Sequence, residues 1–109
     1  MFFSVVITTY NRADILRMTL SAFYNQSMDE RDYEIIVVDD GSSDHTDKVV
    51  DEFKRKHKNL KLVRQKNAGQ GVARNRGIAM ARGKIIVLGQ DDIVPTRDFL
   101  YEHQKFVCK

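Results

Sequence analysis

Short runs of β-branched and aliphatic residues recur along this chain, separated by stretches whose apolar positions follow helical spacing. Phe3–Thr8, Glu34–Asp39, Leu60–Arg64 and Lys84–Leu88 read as strands. In three of them the apolar residues are continuous, not alternating: Val5-Val6-Ile7, Ile35-Ile36-Val37-Val38 and Ile85-Ile86-Val87-Leu88. That pattern predicts strands covered on both faces, as in a parallel sheet. Between them, Ala13–Asn25 places Ile15, Leu16, Leu20 and Phe23 on one helical stripe, and Asp44–Lys56 does the same with Val49, Val50 and Phe53. Gln70–Ala81 turns Ala73, Gly77, Ile78 and Ala81 toward one side. Ser42, Ser43 and Asp44 are N-cap candidates for the second helix. A further helix is expected from about Arg97, after Pro95, the only proline. The order β-α-β-α-β-α-β predicts an α/β fold, an open, mostly parallel sheet with flanking helices and right-handed crossovers.

Composition narrows the class. A chain of 109 residues, 42% hydrophobic and 30% charged, can build one domain with a single modest core. No apolar run approaches the ~20 residues needed to span a bilayer. Residues 1–7 lack the basic and small-residue features of a signal peptide and read as a strand. One cysteine, Cys108, has no internal disulfide partner, which points to a reducing cytoplasm. Net charge is +3, but unevenly laid out. Residues 1–52 carry eleven acids against four Lys/Arg, whereas residues 53–90 carry eleven Lys/Arg and no acid. An acid-free stretch suits an anionic ligand. Within it, Lys54-Arg55-Lys56-His57-Lys58 is read as a solvated helix end, where cations suit the dipole. No nucleic-acid partner is expected.

Ligands in an open α/β sheet bind beyond the carboxyl ends of the strands. The unusual residues of this chain fall there: Thr8-Thr9-Tyr10-Asn11-Arg12, Asp39-Asp40-Gly41-Ser42-Ser43-Asp44, Asn67-Ala68-Gly69-Gln70-Gly71 with Arg74-Asn75-Arg76, and Gly89-Gln90-Asp91-Asp92. Two adjacent carboxylates leaving a buried strand repel unless donors satisfy them. One of Asp39 and Asp40 can hold the turn, leaving the other free to accept a hydrogen bond from the N–H of a base. Gly41 allows a backbone angle closed to most residues and lets a ligand approach. Gly69-Gln70-Gly71 opens a helix whose N–H groups face anions. It is not a dinucleotide fingerprint, since Arg74 stands where the third glycine belongs. Asp91-Asp92 offers hard oxygen ligands suited to Mg²⁺ or Mn²⁺, or else caps a helix. His45, His57 and His103 have no metal-ligand spacing, and Phe99, Tyr101 and Phe106 read as packing residues.

In order and spacing, these four motifs resemble the family 2 glycosyltransferases of the GT-A fold, and the resemblance covers nearly the whole chain. It implies a Rossmann-like N-terminal half that binds a nucleotide sugar, with UDP as the expected nucleotide. Thr8, Tyr10 and Arg12 would line the base end. Asp40 would meet the base, with Asp39 and Gly41 nearby. Gly71, Arg74 and Asn75 would lie close to the sugar nucleotide. Asp92 would be the preferred metal ligand, with Asp91 approaching the ribose or the metal's waters. The implied cofactor is Mn²⁺ or Mg²⁺, and the implied reaction is transfer, with inversion, to a saccharide or lipid-linked acceptor hydroxyl.

Two departures bear on this. Gln90 replaces the first acid of the family's Asp-x-Asp triplet, and Thr8 stands where many members have proline. The family's catalytic base comes from a later segment, so no residue through Lys109 is assigned to it. The expectation is a donor domain spanning 1–109, truncated before the acceptor half and inactive alone. The parent enzyme is expected in the cytoplasm, where it could associate with the inner face of the membrane. Two other readings remain: a non-catalytic donor-binding module that pairs with another chain, and a phospho-receiver domain. The receiver would need its acid pair after strand one, where this chain has Thr and Tyr.

Overall fold

The computed structural model describes residues 2–90 and 95–102. Four strands, β1 (Phe3–Thr9), β2 (Tyr33–Asp39), β3 (Leu60–Arg64) and β4 (Ile85–Gln90), form one parallel sheet in the order β3-β2-β1-β4. Three helices connect them: α1 (Ala13–Phe23), α2 (Thr46–Lys56) and α3 (Gln70–Met80). The fold is the expected Rossmann-like α/β arrangement. Its strand order also disposes of the phospho-receiver reading. Flavodoxin-like receivers set β1 between β2 and β3, whereas here β1 lies between β2 and β4, as in a dinucleotide-type half sheet.

Position in the sheet decides which apolar runs are fully covered. Every residue of the two central strands is buried. One face of the sheet meets α1 and α2 through Val5, Ile7, Ile35 and Val37, packed with Leu16, Leu20, Phe23, Val49 and Val50. The other face meets α3 through Ile36, Val38 and Ala73. A Cβ placed on Gly77 would collide with the Val6 side chain and come 3.1 Å from Val38, so this glycine sets how closely α3 lies on the sheet. The edge strands are covered less. On β4, Ile86 and Leu88 are 38% and 50% exposed, contrary to the expectation that all three continuous runs are shielded on both faces. Among the described residues the main contacts of α3 run to β1 and β2, which leaves β4 less covered on that face.

Local departures from the periodicity have similar causes. Helix α1 buries Ala13, Leu16, Thr19, Leu20 and Phe23, while Ile15 lies off the stripe and is 37% exposed. Helix α1 stops at Phe23, short of Asn25, and α2 starts at Thr46 instead of Asp44. Residues 99–102 are helical, and this segment returns to the core. The Gln26 amide donates to the Thr96 carbonyl at 2.7 Å and accepts from the Leu100 N–H at 3.0 Å. Leu100 is fully buried, and Phe99 meets Phe23 edge-on.

A buried carboxylate at the amino edge gave no periodic signal. Glu34 accepts from the Ser4 hydroxyl at 2.5 Å and from the Arg82 N–H at 2.8 Å, with Lys61 Nζ 3.1 Å away. Burial pushes its pKa up, but the Ser4, Arg82 and Lys61 interactions outweigh that and hold it below the ordinary value. This group fastens the turn between α3 and β4. His57 is likewise structural, stacked on Tyr24 with Nδ1 2.5 Å from Glu30.

Candidate functional site

Strand register assembles the rim. Thr9 of β1 lies opposite Asp39 of β2, which lies opposite Arg64 of β3, and Thr8 lies opposite Gln90 of β4. All four parallel strands therefore end at one edge. The Asp40 N–H donates to the Thr9 carbonyl, and the Gln65 N–H to the Asp39 carbonyl, both at 2.9 Å, carrying the ladder one step into the loops.

The acid pair divides its work. Asp39, fully buried, takes the Ser42 N–H on Oδ1 at 2.9 Å and so holds the turn. Its Oδ2 lies 3.5 Å from Arg64 Nε. Asp40 is also buried, and it is not the free acceptor expected from sequence. Its Oδ1 accepts from Gln65 Nε2 and the Ala68 N–H, each at 2.8 Å, and its Oδ2 from the Gly69 N–H at 3.1 Å. The Gln65 bond, then the Ala68 and Gly69 N–H groups, hold its pKa below the usual carboxylate value despite partial burial. A carboxylate offers about four acceptor positions, so roughly one remains, on Oδ2.

Gly41 takes the backbone angle expected of it. Its φ of +89° is the left-handed angle that glycine supplies. The close approach it permits is that of the chain itself, however: an added Cβ would stand 2.9 Å from Asn67 N and 3.3 Å from the Gln65 carbonyl. The loops after β2 and β3 thus pack backbone to backbone at Gly41 and are bolted together by Asp40.

The first loop is tied to the second by side chains. Asn11, at φ +51°, donates its N–H to Ser42 Oγ at 2.8 Å, while its Oδ1 accepts from the Ser43 N–H at 2.7 Å. Asp44 accepts from the Ala13 N–H at 3.1 Å and from Thr46 N–H and hydroxyl at 3.1 and 2.5 Å. Its pKa is held down by these bonds against a burial effect that would raise it. Ser42 and Asp44 therefore brace neighbouring loops, and the residue preceding α2, His45, makes no side-chain cap. Three of the four rim loops are fixed relative to one another before anything binds.

Among the predicted residues, Thr8 is buried, and strand alternation puts it on the α3 side with Val6 and Val38. Tyr10 is 47% exposed at the loop after β1, next to Asn11 and Arg12. Gly69, at φ +101°, precedes α3 without a side-chain cap. An added Cβ at Gly69 or at Gly71 would meet nothing within 4 Å, so open space borders the positive end of this helix. Arg74 is half-buried and Asn75 exposed on the same helix, while Arg76 turns back to the Arg64 carbonyl at 3.4 Å. Asp91 and Asp92, the predicted metal ligands, lie outside the described residues, as do His103, Phe106 and Cys108. Among the described residues no cluster of acids, histidines or cysteines could hold a metal, and no helix is long and apolar enough to cross a membrane.

Sequence reasoning missed Gln65 altogether, and it placed Ser42 and Ala68 in the rim loops without their partners. Gln65 offers no signal beyond its place directly after the third strand; which side chain serves which loop follows from register, not from spacing.

Comparison with known proteins agrees with this geometry. The model of glycosyl transferase family 2 matches residues 4–109. A poly(ribitol-phosphate) beta-glucosyltransferase of Bacillus spizizenii is 34% identical over 100 residues, 89% of this chain and 16% of that protein. Staphylococcus aureus TarS 1-349, solved in complex with UDP-GlcNAc, superposes with a TM-score of 0.94 at 29% identity, covering 99% of this chain and 31% of that one. The mannosyltransferase PcManGT from Pyrobaculum calidifontis, solved with GDP-Man and Mn²⁺, gives a TM-score of 0.90 at 30% identity, covering 98% and 32%. The chain spans a third or less of the length of each of these proteins.

Proposed function

We infer that this chain, which belongs to glycosyl transferase family 2, is the donor-binding side of an enzyme that moves a sugar from a nucleoside diphosphate, UDP in the first instance, to an acceptor hydroxyl. The observation that carries the reading is the pre-braced rim: a buried Asp40 held by the Ala68 and Gly69 N–H groups, directly beside the open, glycine-bounded start of α3. Solved neighbours that hold UDP-GlcNAc and GDP-Man support it.

In this reading the remaining acceptor position of Asp40 takes a ring N–H of the base, while Tyr10 offers an exposed aromatic face beside it. Thr8 and Arg12 complete the base end, with Asp39 nearby holding the turn. The N–H groups at the start of α3, with Gly71, Arg74 and Asn75, meet the diphosphate. Asp92, with Asp91, would hold Mn²⁺ or Mg²⁺; chemically, a carboxylate pair that follows β4 in sequence suits such an ion, although Gln90 stands where the family's triplet has its first acid. A cation bound there would offset the charge of the departing diphosphate. This chain's residues bind and orient the donor. The base that deprotonates the acceptor lies outside it, transfer proceeds with inversion, and the acceptor is a saccharide or lipid-linked sugar at the cytoplasmic side of a membrane.

Isothermal titration of the chain with UDP, with and without Mn²⁺, tests this. Binding strengthened by the metal is expected, and Asp92→Asn should abolish the metal response while leaving the melting curve intact. Absence of heat with UDP and with GDP would refute the reading. A sugar-release assay on the isolated chain should record no hydrolysis; turnover would place a working base within 1–109.

A further inference from the structure

Gln65 follows the last residue of β3, and its backbone N–H, bonded to the Asp39 carbonyl at 2.9 Å, extends the ladder past the strand end. That extra step brings its side chain to Asp40, where Nε2 donates to Oδ1 at 2.8 Å. The other two donors to Asp40 are backbone N–H groups of Ala68 and Gly69, three and four residues further along the same loop. A carboxylate's terminal torsion is broad and roughly two-fold, so one or two bonds leave its plane loosely set. Here Oδ1 carries two donors and Oδ2 one, which fixes the plane and leaves Oδ2 the acceptor position toward a ligand. Gln65 is the only side chain among those donors, and therefore the one that sequence can change.

We propose that Gln65 is a positioning residue for base recognition: by donating to Asp40 Oδ1 it orients that carboxylate and keeps it a pure acceptor for the ring N–H of a nucleobase. The proposal rests on the nucleotide reading above, and it assigns to Gln65 the nucleoside part of the affinity, not the diphosphate part. Because the Ala68 and Gly69 N–H groups still tie Asp40 to the start of α3 when Gln65 is changed, anion binding there should hold without it.

The test compares UDP with inorganic pyrophosphate as ligands, in Mn²⁺, for the wild-type chain, Gln65→Leu, Gln65→Glu and Gln26→Ala. Gln65→Leu removes the donor at similar size. Gln65→Glu keeps the shape but sets a second carboxylate against Asp40. Gln26→Ala loosens the fold away from the rim and controls for general destabilisation. Thermal melts establish that each variant is folded at the titration temperature. Wild type is expected to bind UDP more tightly than pyrophosphate. Gln65→Leu should weaken UDP about tenfold, the loss expected when the base's own hydrogen bond to a misoriented Asp40 is forfeited, and Gln65→Glu should weaken it further. Pyrophosphate binding should stay within about twofold in all variants, and Gln26→Ala should bind both as wild type does. Unchanged UDP affinity in Gln65→Leu, or equal loss for UDP and pyrophosphate, would overturn the positioning role while leaving the nucleotide reading standing. Wild type that binds UDP no better than pyrophosphate would overturn both.

Discussion

Removing the Asp40 carboxylate should loosen the rim by an amount that can be worked out from its partners. Asp40→Ala deletes three charge-assisted hydrogen bonds, from Gln65 Nε2, Ala68 N–H and Gly69 N–H. Each such bond contributes about 1.5–3 kcal/mol when its donor cannot find another partner. Ala68 and Gly69 are exposed, so water can take over their N–H groups, whereas Gln65 is half-buried and the loop crossing at Gly41 is tight. The cost is therefore closer to one full bond plus loop ordering, about 2–3 kcal/mol. For a chain of this size that lowers the melting temperature by about 8–12 °C. Asp40→Asn keeps an acceptor for two of the donors but turns an amide N–H₂ toward the Gly69 N–H, so it should cost about 1–2 kcal/mol. Thermal and urea unfolding followed by circular dichroism would measure both. Melting of either variant within about 1 °C of wild type would refute the claim that Asp40 bolts the two loops together.

Three further outcomes follow from the packing and the charges. Gly77→Ala drives a methyl into Val6 and Val38, and should cost about 1–3 kcal/mol in urea unfolding by lifting α3 off the sheet; unchanged stability would mean that α3 has room to spare. Gln26→Ala frees the backbone of Thr96 and Leu100, so limited proteolysis should cut near 96–102 faster than in wild type, and an identical cleavage pattern would contradict the clamp. Glu34, Asp40 and Asp44 all have folded pKa values below their ordinary ones. Their contribution is complete above the ordinary carboxyl range and is lost as pH falls through the folded values, so stability should drop below about pH 4. A melting temperature that stays flat down to about pH 2.5 would argue against these bonds.

Much of the architecture was legible because parallel strands advertise themselves. The uninterrupted Val5–Ile7 and Ile35–Val38 runs are buried on both sides, as such runs predict. The same cue misled at Ile86 and Leu88, because a continuous run says nothing about whether a strand is central or at an edge. Ile15 was misassigned since Ala13 and Thr19, weak signals in a hydrophobic pattern, take the buried stripe instead. At the rim, sequence located the loops but not their internal wiring. That Asp39 serves its own turn while Asp40 serves the next loop depends on Gln65 adding one step to β3. Glu34 escaped notice for a related reason: its partners, Ser4, Lys61 and Arg82, come from three distant segments.

A nucleoside diphosphate is expected to lie along the carboxyl edge, across Asp40 and the open start of α3. Titration of the ¹⁵N-labelled chain with UDP and Mg²⁺, followed by amide chemical shifts, tests it directly. Shifts should concentrate at Thr8–Arg12, Asp40–Ser42 and Ala68–Arg74, with Glu30, Asn59 and Gly83 at the opposite edge unmoved. Shifts centred on that opposite edge, or none at saturating UDP, would contradict it.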